Sequence, residues 1–292
     1  MKQITILSGK GGVGKSSITA SLGIVLSKRY KVICVDCDVD ASNLALVFGV
    51  KKLKDFKEIS TNQKAVFDCK KCNSCKKCFE SCYFNAISWE SNKPKLKEFG
   101  CEGCGVCELV CPCGAVELKE IYNAKIGYGK TRYGFNVVTG QLEMGESGSG
   151  KVVYEVRKLA SEIGKDADII LNDAAAGIGC PVIASVVGSE YAIAVTEPTP
   201  SGFSDLKRAL QMVHHFNIDA GIIINKFDLN KDYSEKIAEF ARTSGLSIIK
   251  KIPYDKTFSD ALVHMTPVVS YDKDYLKLFE SIADTVISRL SI

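Results

Sequence analysis

"SGKGGVGKSS", Ser8–Ser17, follows the apolar run "KQITIL" and precedes "ITASLGIVLS". That order predicts a short strand, a glycine-rich turn, and a helix from about Lys15 to Lys28. Gly9, Gly14, Lys15 and Ser16 satisfy G-x-x-x-x-G-K-[ST]. Glycines let backbone N–H groups face a phosphate with no Cβ in the way, and the helix N-terminus adds the positive end of its dipole. Lys15 is placed to reach β- and γ-phosphates and Ser16 to ligate Mg²⁺. The candidate nucleotide cradle is therefore Gly9, Gly11, Gly12, Val13, Gly14, Lys15, Ser16 and Ser17. A chance glycine loop would not carry a strand before it and a helix after it.

Further apolar runs also end in polar residues. "KVICVDCD" leads to Asp36, Asp38 and Asp40, "ADIILNDAAAGIGC" to Asp173 and Gly177, and "GIIINKFDLN" to Asn225, Lys226 and Asp228. Asp173 fits an acid that holds a water on Mg²⁺, against the alternative of an ordinary strand-end turn. From Asp168 on, strands (Asp168–Leu171, Tyr191–Thr196, Gly221–Asn225, Ser247–Ile252) alternate with helices, which predicts a mostly parallel sheet with helices on both faces. In "TEPTPSGFSDLKRAL" a helix capped by Ser204 is expected, and "YLKLFESIADTVISRLSI" reads as a helix packed on the sheet.

Lys10, a second lysine inside the loop, makes "KGGVGKSS" a deviant Walker A sequence. Here the chain resembles the MinD/ParA/Mrp group of ATPases, which includes the nitrogenase iron protein. The resemblance implies ATP as nucleotide and a homodimer formed on ATP binding, with Lys10 reaching the partner's nucleotide as an arginine finger would. It also implies that an Asp just past the second strand orients the attacking water. Asp38 is the best match, with Asp36 and Asp40 behind it and helix capping as the plain alternative. A residue near Asn225 is implied to read the base, with Pro253 to Asp255 as the other wall of its pocket. Asn225, Lys226 and Asp228 also spell N-K-x-D, a guanine-reading pattern, so GTP stays open beside ATP.

The chain has 13 cysteines among 292 residues, and ten lie between Cys69 and Cys113. No basic-then-apolar leader and no run of roughly 18 to 20 apolar residues is present, so a cytoplasmic protein is expected. Thiols stay reduced there, and clustered cysteines hold metal more often than they form disulfides. "CNSCKKCFESC" spaces Cys72, Cys75, Cys78 and Cys82 by two, two and three residues, and "CEGCGVCELVCP" repeats this with Cys101, Cys104, Cys107 and Cys111. This is the bacterial ferredoxin run, twice. Three close cysteines wrap one cluster and the fourth ligates the other. One [4Fe–4S] cluster should take Cys72, Cys75, Cys78 and Cys111, and the second Cys101, Cys104, Cys107 and Cys82. Zinc ribbons also use CxxC pairs, but a doubled four-cysteine run suits them poorly. Tyr83 stands where proline usually follows the fourth cysteine, which should alter packing only.

Cys34 and Cys37 read as core, and Cys69 and Cys113 as spare or buried thiols. Cys180 lies seven positions after Asp173, where the nitrogenase iron protein holds a cluster on its dimer axis; without a second such cysteine, a structural thiol is expected. From Lys51 to Glu98 twelve lysines face six acids. Two oxidised clusters with their thiolates would add roughly −4, which explains the basic stretch without nucleic acid.

The expected layout is an ATPase domain over 1–56 and 120–292, interrupted by a small α+β ferredoxin insert over 57–119. The function implied is ATP-driven electron transfer toward a redox partner protein. The alternatives are a maturation factor that hands clusters or metals to a receiving protein, and a positioning ATPase with a redox-sensing ferredoxin. The C-terminal helix has too little positive charge for a membrane anchor, and neither membrane nor nucleic acid is expected as a partner.

Overall fold

A computed structural model describes residues 1–290, and of Asp55 the backbone alone. In chain order the elements are β1 (Lys2–Ser8), α1 (Lys15–Ser27), β2 (Val32–Cys37), α2 (Leu44–Val47), β3 (Lys54–Phe67) and α3 (Lys77–Glu80). Then come β4 (Ile87–Glu90), β5 (Lys93–Leu96), α4 (Val106–Leu109), β6 (Val116–Lys130), β7 (Asn136–Leu142) and α5 (Ser149–Ile163). The last part holds β8 (Ile169–Ala176), α6 (Cys180–Val186), β9 (Tyr191–Thr196), α7 (Pro200–His215), β10 (Asp219–Asn225), α8 (Lys231–Thr243), β11 (Ser247–Ile252), α9 (Thr257–Val263), α10 (Val268–Tyr271) and α11 (Tyr275–Leu290).

Two compact units result. The first comprises Met1–Phe56, Ile126–Gln141 and Ser149–Ile292, the second Lys57–Lys125 and Leu142–Gly148. The second unit thus differs in extent from 57–119: β6 carries it to Lys125, and Leu142–Gly148 returns to it. Among the described residues the main sheet has the order β11-β10-β9-β1-β8-β2-β7-β6-β3. β1 pairs in parallel with β8 and β9, β2 with β7 and β8, and β10 with β9 and β11. Strands β2 and β9 are buried at every position. That is why they read as unbroken apolar runs: a parallel sheet is covered on both faces.

Helix α1 is buried nearly all round because it lies between the sheet and α11, and Ile18, Leu22, Leu26, Phe279, Ile282 and Val286 share one core cluster. Helices α6 and α7 close a second cluster over Leu7 and Ala192, and α7 with α8 a third over Ile222 and Ile224. Helix α7 is capped by Thr199, not Ser204: Thr199 Oγ1 accepts the Gly202 N–H at 3.0 Å, and Ser204 falls inside the helix. Pro200 at the first helical position fixes the start one residue after Thr199. Among the described residues no helix is long and apolar enough to cross a membrane.

In the second unit, β4 and β5 form an antiparallel hairpin closed by Glu90 opposite Lys93. Its two-residue turn, Ser91–Asn92, has φ of 47° and 61°, the left-handed pair that matches strand twist. Asn123 Oδ1 accepts from Thr61 N and Oγ1 at 2.9 and 3.1 Å, and its amide donates to the Ser147 carbonyl at 3.0 Å. One buried side chain thus ties three separate segments of this unit. Ala65, Cys78, Ile87 and Val116 form its core, with Trp89 packed against them.

Candidate functional site

The loop between β1 and α1 is held in shape from several directions. Gly14 caps α1 at φ 91°, and a Cβ there would stand 2.4 Å from Asn225 Nδ2. Glycine is therefore required on both steric and conformational grounds. Asn225 donates its amide to the Val13 carbonyl at 2.8 Å, and Lys226 Nζ donates to the Gly12 carbonyl at 3.1 Å. Both residues strap the loop. Asp228, the third member of N-K-x-D, accepts the Tyr254 N–H at 2.6 Å beside the exposed Pro253.

Lys15 is buried and ion-paired to Asp173 Oδ1 at 2.7 Å, and the same oxygen accepts from Thr19 Oγ1 at 2.8 Å. Ser16 Oγ lies 3.4 Å from Lys15 Nζ. The structure so brings Lys15, Ser16 and Asp173 together around the start of α1. Thr19, one turn along that helix, joins them; its i+4 spacing from Lys15 is the signal that could have found it.

Asp36 is buried at the end of β2, where it accepts N–H groups from Leu44 at 2.8 Å and Asp38 at 3.2 Å. Burial, followed by the Asp173 charge, pushes its carboxyl up to about 7, against the pull of those two N–H groups and Lys15. Asp38 is half-buried, and burial raises its carboxyl although Lys15 pulls it down. Gly177 N donates to the Ser8 carbonyl at 2.9 Å, with φ 100°.

Lys10 does not point into open solvent. Its Nζ pairs with Glu197 Oε1 at 2.7 Å and lies 3.4 and 3.2 Å from Thr199 and Ser201 hydroxyls. Lys226 holds the other Glu197 oxygen at 3.2 Å. Burial pushes the Glu197 carboxyl up, but the two lysines outweigh it and hold it below the usual range. Glu197 is an acid just past a buried strand, the same signal that marked Asp38 and Asp173.

The cysteines fall into two groups. Cys72, Cys75, Cys78 and Cys111 line one pocket, and Cys82, Cys101, Cys104 and Cys107 line another. Backbone N–H groups point at the sulfurs: Ser74 to Cys72 at 3.4 Å, Ala86 to Cys82 at 3.3 Å, and Ala115 to Cys111 at 3.2 Å. Ala86 and Ala115 hold corresponding positions, four after the last cysteine of each run. The loops match in backbone too: Ser74 and Lys76 adopt φ 63° and 62°, Gly103 and Gly105 φ 64° and 80°. Such left-handed steps turn successive N–H groups inward into a concavity that suits anions. Burial raises the Cys78 thiol and pushes the Cys107 thiol up to about 11. For Cys111 burial is outweighed by the Ala115 and Cys113 N–H groups, which hold the thiol below its ordinary value.

Among the described residues no three His, Cys, Asp or Glu side chains are set to hold a single metal ion. A four-iron cluster asks for another arrangement, one thiolate per iron. Cys34 and Cys37 are fully buried, and burial keeps the Cys37 thiol up at about 12 and raises Cys34 further, so both are inert core thiols. Cys69 and Cys180 are exposed.

Comparison with known proteins agrees with the loop geometry. Residues 4–268 match the CobQ/CobB/MinD/ParA nucleotide binding domain. An uncharacterised protein of Methanocaldococcus jannaschii is 38% identical over 236 residues, 80% of this chain and 82% of that one. An iron-sulfur cluster carrier protein of Aquifex aeolicus is 25% identical over 96% of this chain and 65% of its own length. The septum site-determining protein MinD of Pyrococcus horikoshii, solved with Mg-ADP, shares the fold at TM-score 0.59 and 20% identity, over 98% of this chain and 95% of that one. A phosphate loop strapped by Asn225 and Lys226, a buried Lys15–Asp173 pair and a family match over most of the length lead to one conclusion: the chain belongs to the CobQ/CobB/MinD/ParA nucleotide-binding family and is a MinD/ParA-type P-loop ATPase.

Proposed function

We propose that this ATPase couples ATP binding and hydrolysis, in a homodimer, to electron transfer through two [4Fe–4S] clusters toward a partner protein. One observation carries the reading. Each cavity gathers three cysteines of one run and the last cysteine of the other, the interlaced set that a two-cluster ferredoxin uses. The fit extends to the donors. Four thiols, apolar walls and N–H groups aimed at sulfur suit a compact anionic cluster better than a hydrated ion. A bound cluster would supply a one-electron carrier.

The phosphate site supplies the rest. Gly9, Gly11, Gly12, Val13 and Gly14 present backbone N–H groups, and Lys15 neutralises the transferring phosphate. Ser16 and Asp173 hold Mg²⁺ and its water, and Asp38 orients the attacking water. For Lys15 to reach a nucleotide, its pair with Asp173 must open, which Mg²⁺ taking the carboxylate would favour. Lys10 must likewise leave Glu197 to reach a partner's nucleotide. Hydrolysis therefore waits on two local exchanges of ion pairs.

The test is an anaerobic EPR titration of the midpoint potentials with and without MgATP. A shift of about 60 mV, roughly 1.4 kcal/mol for one electron, is expected; identical potentials would refute the coupling. The resemblance to an iron-sulfur cluster carrier favours a second reading, delivery of a cluster to a receiving protein. In that case iron should move to an apo-acceptor during ATP turnover, while under the electron-transfer reading it stays with the chain.

A further inference from the structure

The two cysteine cavities are not equivalent. The first is lined by five cysteines: Cys72, Cys75, Cys78, Cys111 and also Cys113. The second is lined by four. Cys113 sits in "CPCGA", two residues past the last cysteine of its run, at a position where the first run has Phe84. Its sulfur lies 3.7 Å from that of Cys111.

That distance has a chemical meaning. Two sulfurs bound at about 2.3 Å to one tetrahedral metal stand about 3.8 Å apart. Cys111 and Cys113 are therefore already spaced as two thiolates that can reach the same metal atom. Both are partly buried, so neither sulfur has to be drawn out of bulk solvent to do so. Pro112 between them fixes one backbone torsion and limits how far the pair can spread.

We propose that Cys113 is an alternate ligand of the first cavity, able to take the iron that Cys111 holds. This rests on the cluster reading above. It makes the first site tolerant of ligand exchange at one corner, whereas the second site has no such reserve. In a chain that binds one electron carrier in each cavity, the two would then differ in how they respond to loss of a single thiolate.

The experiment compares the anaerobically reconstituted full-length chain with Cys111→Ser, Cys113→Ser, the double variant, and Cys82→Ser as the counterpart lesion in the other cavity. Iron and acid-labile sulfide per chain and the EPR spectrum of the reduced protein are measured. The wild type and Cys113→Ser should hold roughly eight irons, two four-iron clusters. Cys111→Ser should hold the same amount with an altered EPR signal, because a different cysteine carries that corner. The double variant and Cys82→Ser should fall to about half. A Cys111→Ser chain with as little iron as the double variant, beside a fully loaded wild type, would overturn the proposal alone. A wild type that takes up no iron would bring down the cluster reading and this proposal with it. Cys82→Ser guards against general misfolding: it removes the matching thiol, and its remaining cluster shows that the unit still folds.

Discussion

Asp36 offers a quantitative test of how the phosphate site is poised. Its carboxyl is fully buried, lies near Asp173, and is raised from an ordinary 3.8 to about 7. A group whose folded value lies above its unfolded value binds more protons in the folded state between the two. Stability therefore falls as pH rises from about 4 to about 7 and stays lowered above that. At about 1.4 kcal/mol for each tenfold change in proton affinity, the full cost is about 4 kcal/mol. Asp36→Asn removes this cost. It keeps the bond from Leu44 N but loses the one from Asp38 N, worth about 1 kcal/mol. In nucleotide-free protein with chelator present, the variant should gain about 3 kcal/mol at pH 8.5 but less than about 1 kcal/mol at pH 5, where the native carboxyl is already protonated. At about 2 °C per kcal/mol for a chain of this size, the advantage should be about 5 °C larger at pH 8.5 than at pH 5. Thermal melts of both proteins at the two pH values measure it. Stabilisation by MgATP should meanwhile be weaker in the variant, since Mg²⁺ held at Asp173 would ease the charge that burdens the wild-type carboxylate, and the amide has nothing to relieve. An advantage equal at both pH values would refute the argument.

Glu197→Gln frees Lys10 from an ion pair whose side chains are 28% and 16% exposed. After solvent screening this should shift ATP-dependent dimerisation by about 1 kcal/mol, or about fivefold; light scattering would show it, and unchanged dimerisation would count against the restraint. Lys10→Ala should abolish dimer-stimulated hydrolysis while iron content stays as in the wild type, and undiminished turnover would remove Lys10 from the mechanism. Gly14→Ala adds a Cβ at φ 91° against Asn225. It should cost about 2 kcal/mol and eliminate binding of a fluorescent ATP analogue with the circular dichroism intact. Removing iron with a chelator should lower the melting transition of the cysteine unit and leave that of the nucleotide unit in place, read by calorimetry; a common shift of both would contradict it.

Features set by backbone geometry or by spacing could be read from the sequence. A loop that needs Gly14 at positive φ announces itself, and so do apolar runs that end in Asp36, Asp173 and Asn225. What could not be read are contacts between residues far apart in the chain. Lys10 and Glu197 are separated by 187 positions, and nothing local says that one awaits the other. Asn225 is expected to face a base, and its amide also donates to the Val13 carbonyl, a partner only the folded sheet brings near. Thr199 displaced Ser204 as a cap because Pro200 starts the helix earlier than the polar run suggested. The second unit reaches beyond 57–119 because β3 and β6 are long strands whose ends lie in different units, a length that alternating patterns do not reveal. Left-handed Ser74 and Lys76 carry a signal of their own in the sequence: they stand where Gly103 and Gly105 stand in the second cysteine run.

That last correspondence bears on the order of loading. The loop from Cys101 to Cys107 meets its left-handed turns with glycines, so its shape costs little when empty. The loop from Cys72 to Cys78 makes the same turns with Ser74 and Lys76, at roughly 1 kcal/mol each. Both loops hold the same shape, but on the proposed cluster reading the glycine half reaches it with less backbone strain than the serine–lysine half. On that reading assembly would begin in the glycine half, while retention in the serine–lysine half falls to its five cysteines, Cys113 included.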